Sequence, residues 1–378
     1  MIAMIEVREV SSGKEQRDFL NFPLRMYRDC PYFAPPLYSD EKKIFRKDYV
    51  YADTCDSVFF NAYKDGVMAG RISGILQKAA NEKYGEKKVR FTRFDAIDDP
   101  EVSRALFDAL EKWALDKGMD TVTGPLGYSD LEREGLLIEG FDQLSTFEEQ
   151  YNAEYYQHHI EALGYTKDVD WVESQIRAPK VVDEQLAKTA DYLMKRNGLH
   201  FAQVKSVNDL LRRYGDKFFD LLDRSYDQIY GTVPFTDGMK KMMISNFKLI
   251  MKLKYIALIV DKDDNLVCLG ICFPSLAKAL QKSGGRLTPA GIVRVLWAIN
   301  HPKIIDFGLI GVDQAYLKKG VTACVVSGIM GILAQPGVEY AETNLNLEDN
   351  YAIRNTWKRF DSVEHKRRRC YIKKLIKC

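Results

Sequence analysis

The sequence lacks any long uninterrupted apolar run. Its longest apolar stretch, Val325 to Ala334, is far too short to cross a bilayer. Residues 1–16 contain no basic segment followed by an apolar one, so the pattern of a secretory signal is missing. Both observations predict a cytoplasmic protein without a transmembrane segment.

Cysteine pairs and a strong charge of one sign are also missing. None of the seven cysteines forms a Cys-x-x-Cys pair, and their odd number and scattered spacing argue against a disulfide framework or a metal site. The net charge of +2 gives no global field that would attract nucleic acid, and no nucleic-acid partner is expected. The one dense basic run, Lys366-Arg367-Arg368-Arg369, is predicted to be a solvated strand edge or tail.

The sequence does contain a repeated order of secondary-structure elements. Each half begins with a predicted hairpin, over 59–75 around Lys64-Asp65-Gly66 and over 255–273 around a turn that ends at Asn265. The turn residues Gly66 and Asn265 are 199 positions apart. The elements that follow in each half are a strand, a helix, a strand and a helix, predicted over 89–97, 99–118, 120–123 and 152–163, and over 303–312, 320–333, 338–345 and 349–360, with a last strand near 370–375.

The near-equal spacing between matching elements of the two halves predicts a tandem duplication of one α/β (α+β) unit. A chain of 378 residues exceeds one typical domain, and an apolar share of 46% supplies material for two cores. The predicted domains are 1–178 and 199–378, joined by a linker helix over 179–198. The second half also carries an insertion, in which the apolar segment 292–299 is predicted to be a helix that covers a sheet face.

The two predicted strand-to-helix junctions differ in charge. A helix start offers unpaired N–H groups and a partial positive charge, which favour phosphate. The second junction reads Lys318-Lys319-Gly320-Val321-Thr322, where two cations, a glycine and a hydroxyl suit a pyrophosphate. The first junction reads Asp98-Asp99-Pro100-Glu101, where carboxylates already fill the helix start. The sequence therefore predicts an anion site in the second half and none in the first.

Several short motifs occur in a family-specific order. They are Phe22-Pro23, Pro31, Pro35-Pro36-Leu37, Gly66 with Gly70-Arg71-Ile72, Gly124-Pro125, Gly140-Phe141-Asp142, Asn152 with Tyr155-Tyr156, Gly164-Tyr165, Gly284-Gly285-Arg286-Leu287 and Glu348-Asp349-Asn350. With the element order, they make the chain resemble the GNAT superfamily of acyl-CoA-dependent N-acyltransferases, and bacterial tandem GNAT-like proteins of unassigned function in particular. The resemblance covers nearly the whole chain. It implies two units, each a mixed, mostly antiparallel central sheet flanked by helices.

The resemblance also implies acetyl-CoA or another acyl-CoA as co-substrate and no metal. The family's pyrophosphate loop is Gln/Arg-x-x-Gly-x-Gly/Ala, and the matching positions are Leu317-Lys318-Lys319-Gly320-Val321-Thr322, so the central glycine is kept while both ends differ. These six residues are the expected CoA-binding residues. The family commonly has a tyrosine on the closing helix as acid to the leaving thiolate. Thr356 stands at that place, which argues against ordinary acid catalysis.

Acyl transfer to an amine also needs a base. Asp306 and Glu342, on the fourth and fifth strands of the second unit, are the candidate bases, and a structural role on a solvated strand face is the alternative for each. Asn344 could orient substrate or simply end its strand.

Three residues on the first unit's closing helix are candidates to line a substrate groove between the units. They are Tyr155, Tyr156 and His159. Core packing is the alternative for the two tyrosines, and a solvated helix face is the alternative for the histidine.

Together these observations predict an N-acyltransferase that moves an acyl group from acyl-CoA to a small-molecule or lipid-like amine held between the domains. Two alternatives stay open. One is a non-catalytic ligand-binding protein derived from GNAT enzymes, favoured by the altered loop and by Thr356. The other is an aminoacyl transferase with a tandem GNAT fold.

Overall fold

The computed structural model describes residues 4–376 except 182, 227–228 and 249. The strands are β1 (Ile5–Glu9), β2 (Cys55–Lys64), β3 (Val67–Gln77), β4 (Lys88–Ala96), β5 (Thr121–Gly124), β6 (Leu136–Glu139), β7 (Thr166–Arg177), β8 (His200–Phe201), β9 (Ile256–Val260), β10 (Leu266–Pro274), β11 (Ile304–Val312), β12 (Tyr340–Glu342), β13 (Asn346–Leu347) and β14 (Ser362–Lys374). The α-helices are α1 (Gly13–Met26), α2 (Tyr38–Glu41), α3 (Lys78–Tyr84), α4 (Pro100–Asp116), α5 (Tyr156–Ala162), α6 (Glu184–Arg196), α7 (Val207–Tyr226), α8 (Asp237–Phe247), α9 (Ala277–Gln281), α10 (Pro289–Asn300), α11 (Gln314–Leu317), α12 (Val321–Leu333) and α13 (Tyr351–Trp357).

All the described strands join one sheet. Its order is β1-β2-β3-β4-β5-β14-β7-β12-β11-β10-β9-β8, with β6 paired to β14 and β13 paired to β7. The pairs β4–β5 and β11–β12 are parallel, and the others are antiparallel. The predicted mixed, mostly antiparallel sheet flanked by helices is therefore confirmed.

The local signals that predicted the first hairpin are present in the structure. Asp65 and Gly66 both have positive φ, as the two-residue turn between β2 and β3 requires. Asp99 caps α4 by accepting a hydrogen bond from the backbone N–H of Glu101, and Pro100 occupies the first helical position. In this half the turn and cap residues thus favour the same strands and helix that the structure contains.

The two halves exchange strands at the centre of the sheet. The last strand, β14, lies between β5 and β7, and β7 lies between β14 and β12. The predicted linker segment contains α6, which packs along α12 through Leu193 and the buried Ala190 and Met194. The domain boundaries at 178 and 198 stay predictions.

The basic run 366–369 lies on β14 and is not a solvated edge or tail, so that prediction is wrong. Lys366 and Arg368 are buried on one face of the sheet, where both pair with Glu173 of β7. Arg367 and Arg369 point to the other face, as strand alternation requires, and pair with Asp170. Glu173 and Asp170 of β7, with further carboxylates of other elements, pair with the four cations, and for this reason the run can lie in the middle of the sheet.

The apolar segment 292–299 forms most of α10, as predicted, but it covers a sheet face only in part. Ile299 is buried against β10, whereas Ile292, Val293, Leu296 and Trp297 are exposed. None of the described helices is both long and apolar enough to span a membrane.

Candidate functional site

A fork between two parallel strands opens the sheet in the second half. β11 and β12 pair only between 304–306 and 340–342. Beyond this point β11 continues beside β10, whereas the segment that follows β12 stays beside β7, with which β13 pairs. Residues 307–312 and 343–347 therefore line the two sides of a gap.

The gap leads into a cavity of about 820 Å³, which is within the size range of small-molecule sites. One end lies at α11, the start of α12 and α13, and the opposite end lies at loops of the first half. Side chains of α7, α8, β9 and β10 form an apolar wall. Its members include Leu210, Leu211, Phe218, Phe219, Met243, Ile244, Phe247, Ile256, Leu258, Ile271 and Phe273.

Three alternate carbonyls on the open edge of β11 face the gap. Each accepts a hydrogen bond from a side chain: Gly308 from Asn344 Nδ2 at 2.8 Å, Ile310 from Tyr226 Oη at 3.1 Å and Val312 from Ser225 Oγ at 3.1 Å. The N–H groups of Ile310 and Val312 lie on the same edge, because N–H and C=O of one residue in a regular strand point to one side, whereas Gly308 lies at a bulge opposite β10. The open edge thus presents backbone donors to the cavity.

The start of α12 borders the cavity without a side-chain cap. Gly320 is its N-cap residue, and its φ of +76° explains why glycine occupies this position. Of the six predicted CoA-binding residues, Leu317, Lys318 and Thr322 line the cavity.

The other three predicted CoA-binding residues do not line the cavity. The Lys319 ammonium lies over the Tyr316 ring, 4.1 Å from its centre, and Val321 is buried in the core. A Cβ atom on Gly320 would lie 3.1 Å from Leu193 of α6. The start of α12 is therefore open on the cavity side and packed against α6 on the other.

The corresponding start of α4 is occupied by acids. The Asp99 carboxylate caps the helix and also pairs with Lys64. The charge difference between the two helix starts therefore exists in the structure as well as in the sequence, and whether it decides CoA binding stays a prediction.

Acidic side chains gather at the end of the cavity that belongs to the first half. They are Asp130, Glu132, Glu134, Glu148 and Glu149. Burial raises the pKa of Glu148 to about 7, against a smaller opposite effect of Arg133. Burial raises the pKa of Glu149 to about 8. A carboxylate with a pKa near 7 is matched to accept a proton at neutral pH.

Sequence reasoning missed Glu148. It lies in an irregular segment between β6 and α5, where no motif or period marks it. Its environment is built by residues distant in sequence, so only the folded chain identifies it.

The two predicted bases do not line the cavity. Asp306 is buried on β11, where burial, with the Glu148 and Glu342 charges, raises its pKa well above the ordinary value. Glu342 lies beside it on β12 and binds the His365 ring at 2.8 Å and Lys366 at 3.3 Å. Both residues are buried, so neither lies on a solvated strand face, and their role as bases stays a prediction.

Asn344 and Thr356 both line the cavity. The Asn344 side chain joins the two sides of the gap by donating a hydrogen bond to the Gly308 carbonyl. The Thr356 hydroxyl donates to the Ala352 carbonyl at 2.9 Å within its own helix. Thr356 is therefore held away from the role of a proton donor.

Of the three predicted groove residues, Tyr156 and His159 are buried on α5, and Tyr155, just before α5, packs against the core of the first half; their role in a substrate groove stays a prediction. Tyr156 is fully buried, and its hydroxyl accepts the Ala96 N–H, while Tyr155 donates to the Ala96 carbonyl. His159 is buried between Ser103 and Asp98, and burial lowers its pKa. The aromatic rings pack beside β4, which is one of the two parallel strands of the first half.

A second cavity, of about 200 Å³, adjoins the first. Glu132, Glu148, Met243 and Phe247 line both cavities. The outer wall of the second cavity belongs mainly to the first half and to α8, and includes Pro36, Leu37, Glu41, Ile44, Tyr49, Tyr51, Arg93, Phe235, Met239 and Met242. Glu148 therefore lies where the two cavities meet.

Metal ligation has no candidate in the part of the chain that the structure describes: no group of three or more His, Cys, Asp or Glu side chains is placed to hold an ion. Cys30, Cys55, Cys268, Cys272, Cys324 and Cys370 are free thiols, and Cys378 lies outside the described residues.

A parallel strand pair beside a helix start occurs once in each half, with a mostly antiparallel sheet around it. These features, and the solved structures that superpose on the chain, define a tandem GNAT-like protein by fold. A tandem GNAT protein from the clavulanic acid biosynthesis pathway superposes with a TM-score of 0.59 at 10% identity, over 99% of this chain and 100% of that one.

Two curated proteins are similar in sequence, and no family model matches. Protein YghO of Escherichia coli (strain K12) is 27% identical over 390 aligned positions, which cover 98% of this chain and 95% of that protein. Bacterial ceramide synthase of Caulobacter vibrioides (strain NA1000 / CB15N) is 25% identical over 321 positions, covering 83% of this chain and 82% of that protein.

Proposed function

We propose that the protein is an N-acyltransferase that moves a long acyl chain from CoA to a long-chain amine. The observation that carries the proposal is the first cavity, whose apolar wall connects an uncapped helix start to a carboxylate with a pKa near 7. The ceramide synthase relative supports it, because a ceramide is the amide of a fatty acyl group and a long-chain amine.

The acyl donor would enter from α12. The partial positive charge of the helix start, with the Lys318 ammonium and the Thr322 hydroxyl, suits the CoA pyrophosphate. The open edge of β11 offers N–H groups at 310 and 312 to the amide-containing arm and to the thioester oxygen. The apolar wall formed by α7 and α8 suits the acyl chain.

The second cavity suits the amine acceptor. Its walls are mostly apolar, and its polar end holds Arg93, which binds the Glu41 carboxylate through Nε at 2.9 Å and Nη2 at 3.1 Å. Such a pair can bind hydroxyl or carbonyl groups of an amine headgroup. Glu148 lies at the junction, where the amine would meet the thioester.

The reaction then needs two proton transfers. The Glu148 carboxylate takes a proton from the ammonium, and the free amine attacks the thioester carbonyl carbon. A C–N bond forms and the C–S bond breaks, and the second proton that the nitrogen gives up on becoming an amide goes to the departing CoA thiolate.

The test is a reaction of the full chain with palmitoyl-CoA and sphinganine, with product identified by mass spectrometry and free CoA measured. We expect an N-palmitoyl product from the wild type and a loss of about 100-fold or more for Glu148→Gln. Glu184→Gln, on the exposed start of α6, is the matched control and should keep full activity. If Glu148→Gln is as active as the wild type, the assigned base is wrong.

A protein that binds acyl-CoA without turnover is the second candidate, favoured by the position of the Thr356 hydroxyl. Calorimetry separates the two. Tight binding of palmitoyl-CoA with no product from sphinganine or shorter amines would support the non-catalytic function. Absence of binding would reject both candidates.

A further inference from the structure

The helix α10 presents an apolar face to solvent. Val293, Leu296 and Trp297 have 66%, 52% and 59% of their surface exposed, and Ile292 is exposed beside them. These positions share one broad side of the helix, and Gly291 and Ile299, which flank that side, are buried. Adjacent exposed side chains of this size make a contiguous patch, which marks an interaction surface in a folded protein.

The sequence segment that contains this patch carries charge of one sign. The sequence from Leu266 to Ile305 contains no Asp or Glu, and it includes Lys278, Lys282, Arg286, Arg294 and Lys303. Among the described residues, Lys282 and Arg294 form no ion pair, whereas Lys303 pairs with Glu339. A tryptophan and aliphatic side chains bordered by cations are the composition of helices that lie at an anionic lipid surface.

The residues just before α10 contact the part of the chain that lines the second cavity. The Gly285 carbonyl accepts the Tyr38 N–H at 2.9 Å, and the Arg286 guanidinium lies 4.1 Å from the centre of the Tyr38 ring. The neighbouring Pro36 and Leu37 line the second cavity, as does Leu276 just before α9. The segment just before α10 therefore contacts the chain that forms one wall of this cavity.

We propose that α10 docks the protein on the surface of an anionic bilayer, with Ile292, Val293, Leu296 and Trp297 inserted at the headgroup boundary and the flanking cations on lipid phosphates. The proposal stands on the exposure and charge of α10 and does not require the reaction proposed above. A lipid surface fits better than a second copy of the chain, because a symmetric contact would bring the same cations together.

The experiment is flotation of the full chain with phosphatidylcholine vesicles, with and without phosphatidylglycerol. We expect flotation with the anionic vesicles, weaker flotation with the neutral ones, and release by salt, because screening shortens the reach of exposed charges. Leu296→Glu and Trp297→Glu should each lower the partition coefficient about tenfold or more. Tyr192→Glu, an exposed aromatic on α6, is the matched control and should float as the wild type does.

A second measurement keeps the result independent of folding. Vesicles with brominated acyl chains should quench tryptophan fluorescence in the wild type, and the quenching should be lost in Trp297→Phe, which keeps an apolar ring. The proposal is overturned if the wild type floats with neither vesicle, or if Trp297→Glu floats as well as the wild type. It is also overturned if the α10 variants change only the molar mass in sedimentation, because the patch would then join copies of the chain.

Discussion

Gly215 offers a direct test of the first cavity as a chain-binding site. It lies within α7, is buried, and lines the cavity. A Cβ atom added there would meet no heavy atom within 4 Å. A side chain at this position would therefore begin in open space at the cavity wall.

We expect Gly215→Leu to weaken the binding of long acyl chains selectively. The leucine side chain has four carbon atoms and would displace about four methylene groups of a bound chain. At about 0.8 kcal/mol for each buried methylene, the loss is about 3 kcal/mol, or roughly 100-fold in affinity. CoA and acetyl-CoA do not reach this wall in the proposed binding mode and should bind as they do to the wild type.

The assay is calorimetric titration of wild type and variant with CoA, acetyl-CoA and palmitoyl-CoA. Gly215→Ala is the matched control, since it adds one carbon atom and should leave all three affinities nearly unchanged. It should also raise the free energy of unfolding in urea by about 0.5–1 kcal/mol, because glycine is a poor helix residue. Equal palmitoyl-CoA affinity in Gly215→Leu and wild type would refute the chain site, and a loss of CoA affinity would show that the effect is not on the chain.

Three further predictions concern named side chains. The Glu148 base acts as a carboxylate, so kcat/KM should rise as pH passes through about 7, and Glu148→Gln should remove that rise; an unchanged profile would contradict the assignment. Lys318→Glu should weaken CoA binding in calorimetry at low salt, whereas Asp99→Asn should leave it unchanged, and the reverse order would mean that the first half binds CoA. Lys366→Met leaves the buried Glu173 with one cation fewer and should lower the free energy of unfolding in urea by about 3–5 kcal/mol; an unchanged urea midpoint would show that Arg368 alone suffices.

Features that depend on neighbouring residues could be predicted from the sequence. The Asp65-Gly66 turn and the Asp99 cap act within a few residues, so their chemistry is visible in the chain itself. The open start of α12 belongs to the same class, because Lys318 and Thr322 are close to it in sequence. These local signals also carried the resemblance that predicted the fold.

Features that depend on distant partners could not be predicted. The Lys366–Arg369 run was expected at the surface because Glu173 and Asp170, nearly 200 residues earlier, are visible as its partners only in the folded sheet. Glu148 follows the same rule, since its raised pKa comes from burial among residues of both halves. In both cases the sequence shows the charged residues but not the residues that surround them in the fold.

The central position of β14 has a consequence for biosynthesis. While β14 is still inside the ribosome, one edge of β5 and one edge of β7 have no partner, because both pair with β14. Such open edges are prone to pair with other chains. A stop codon just before residue 362 would leave them open permanently, and we expect the truncated product to aggregate even though every residue of the first half is present.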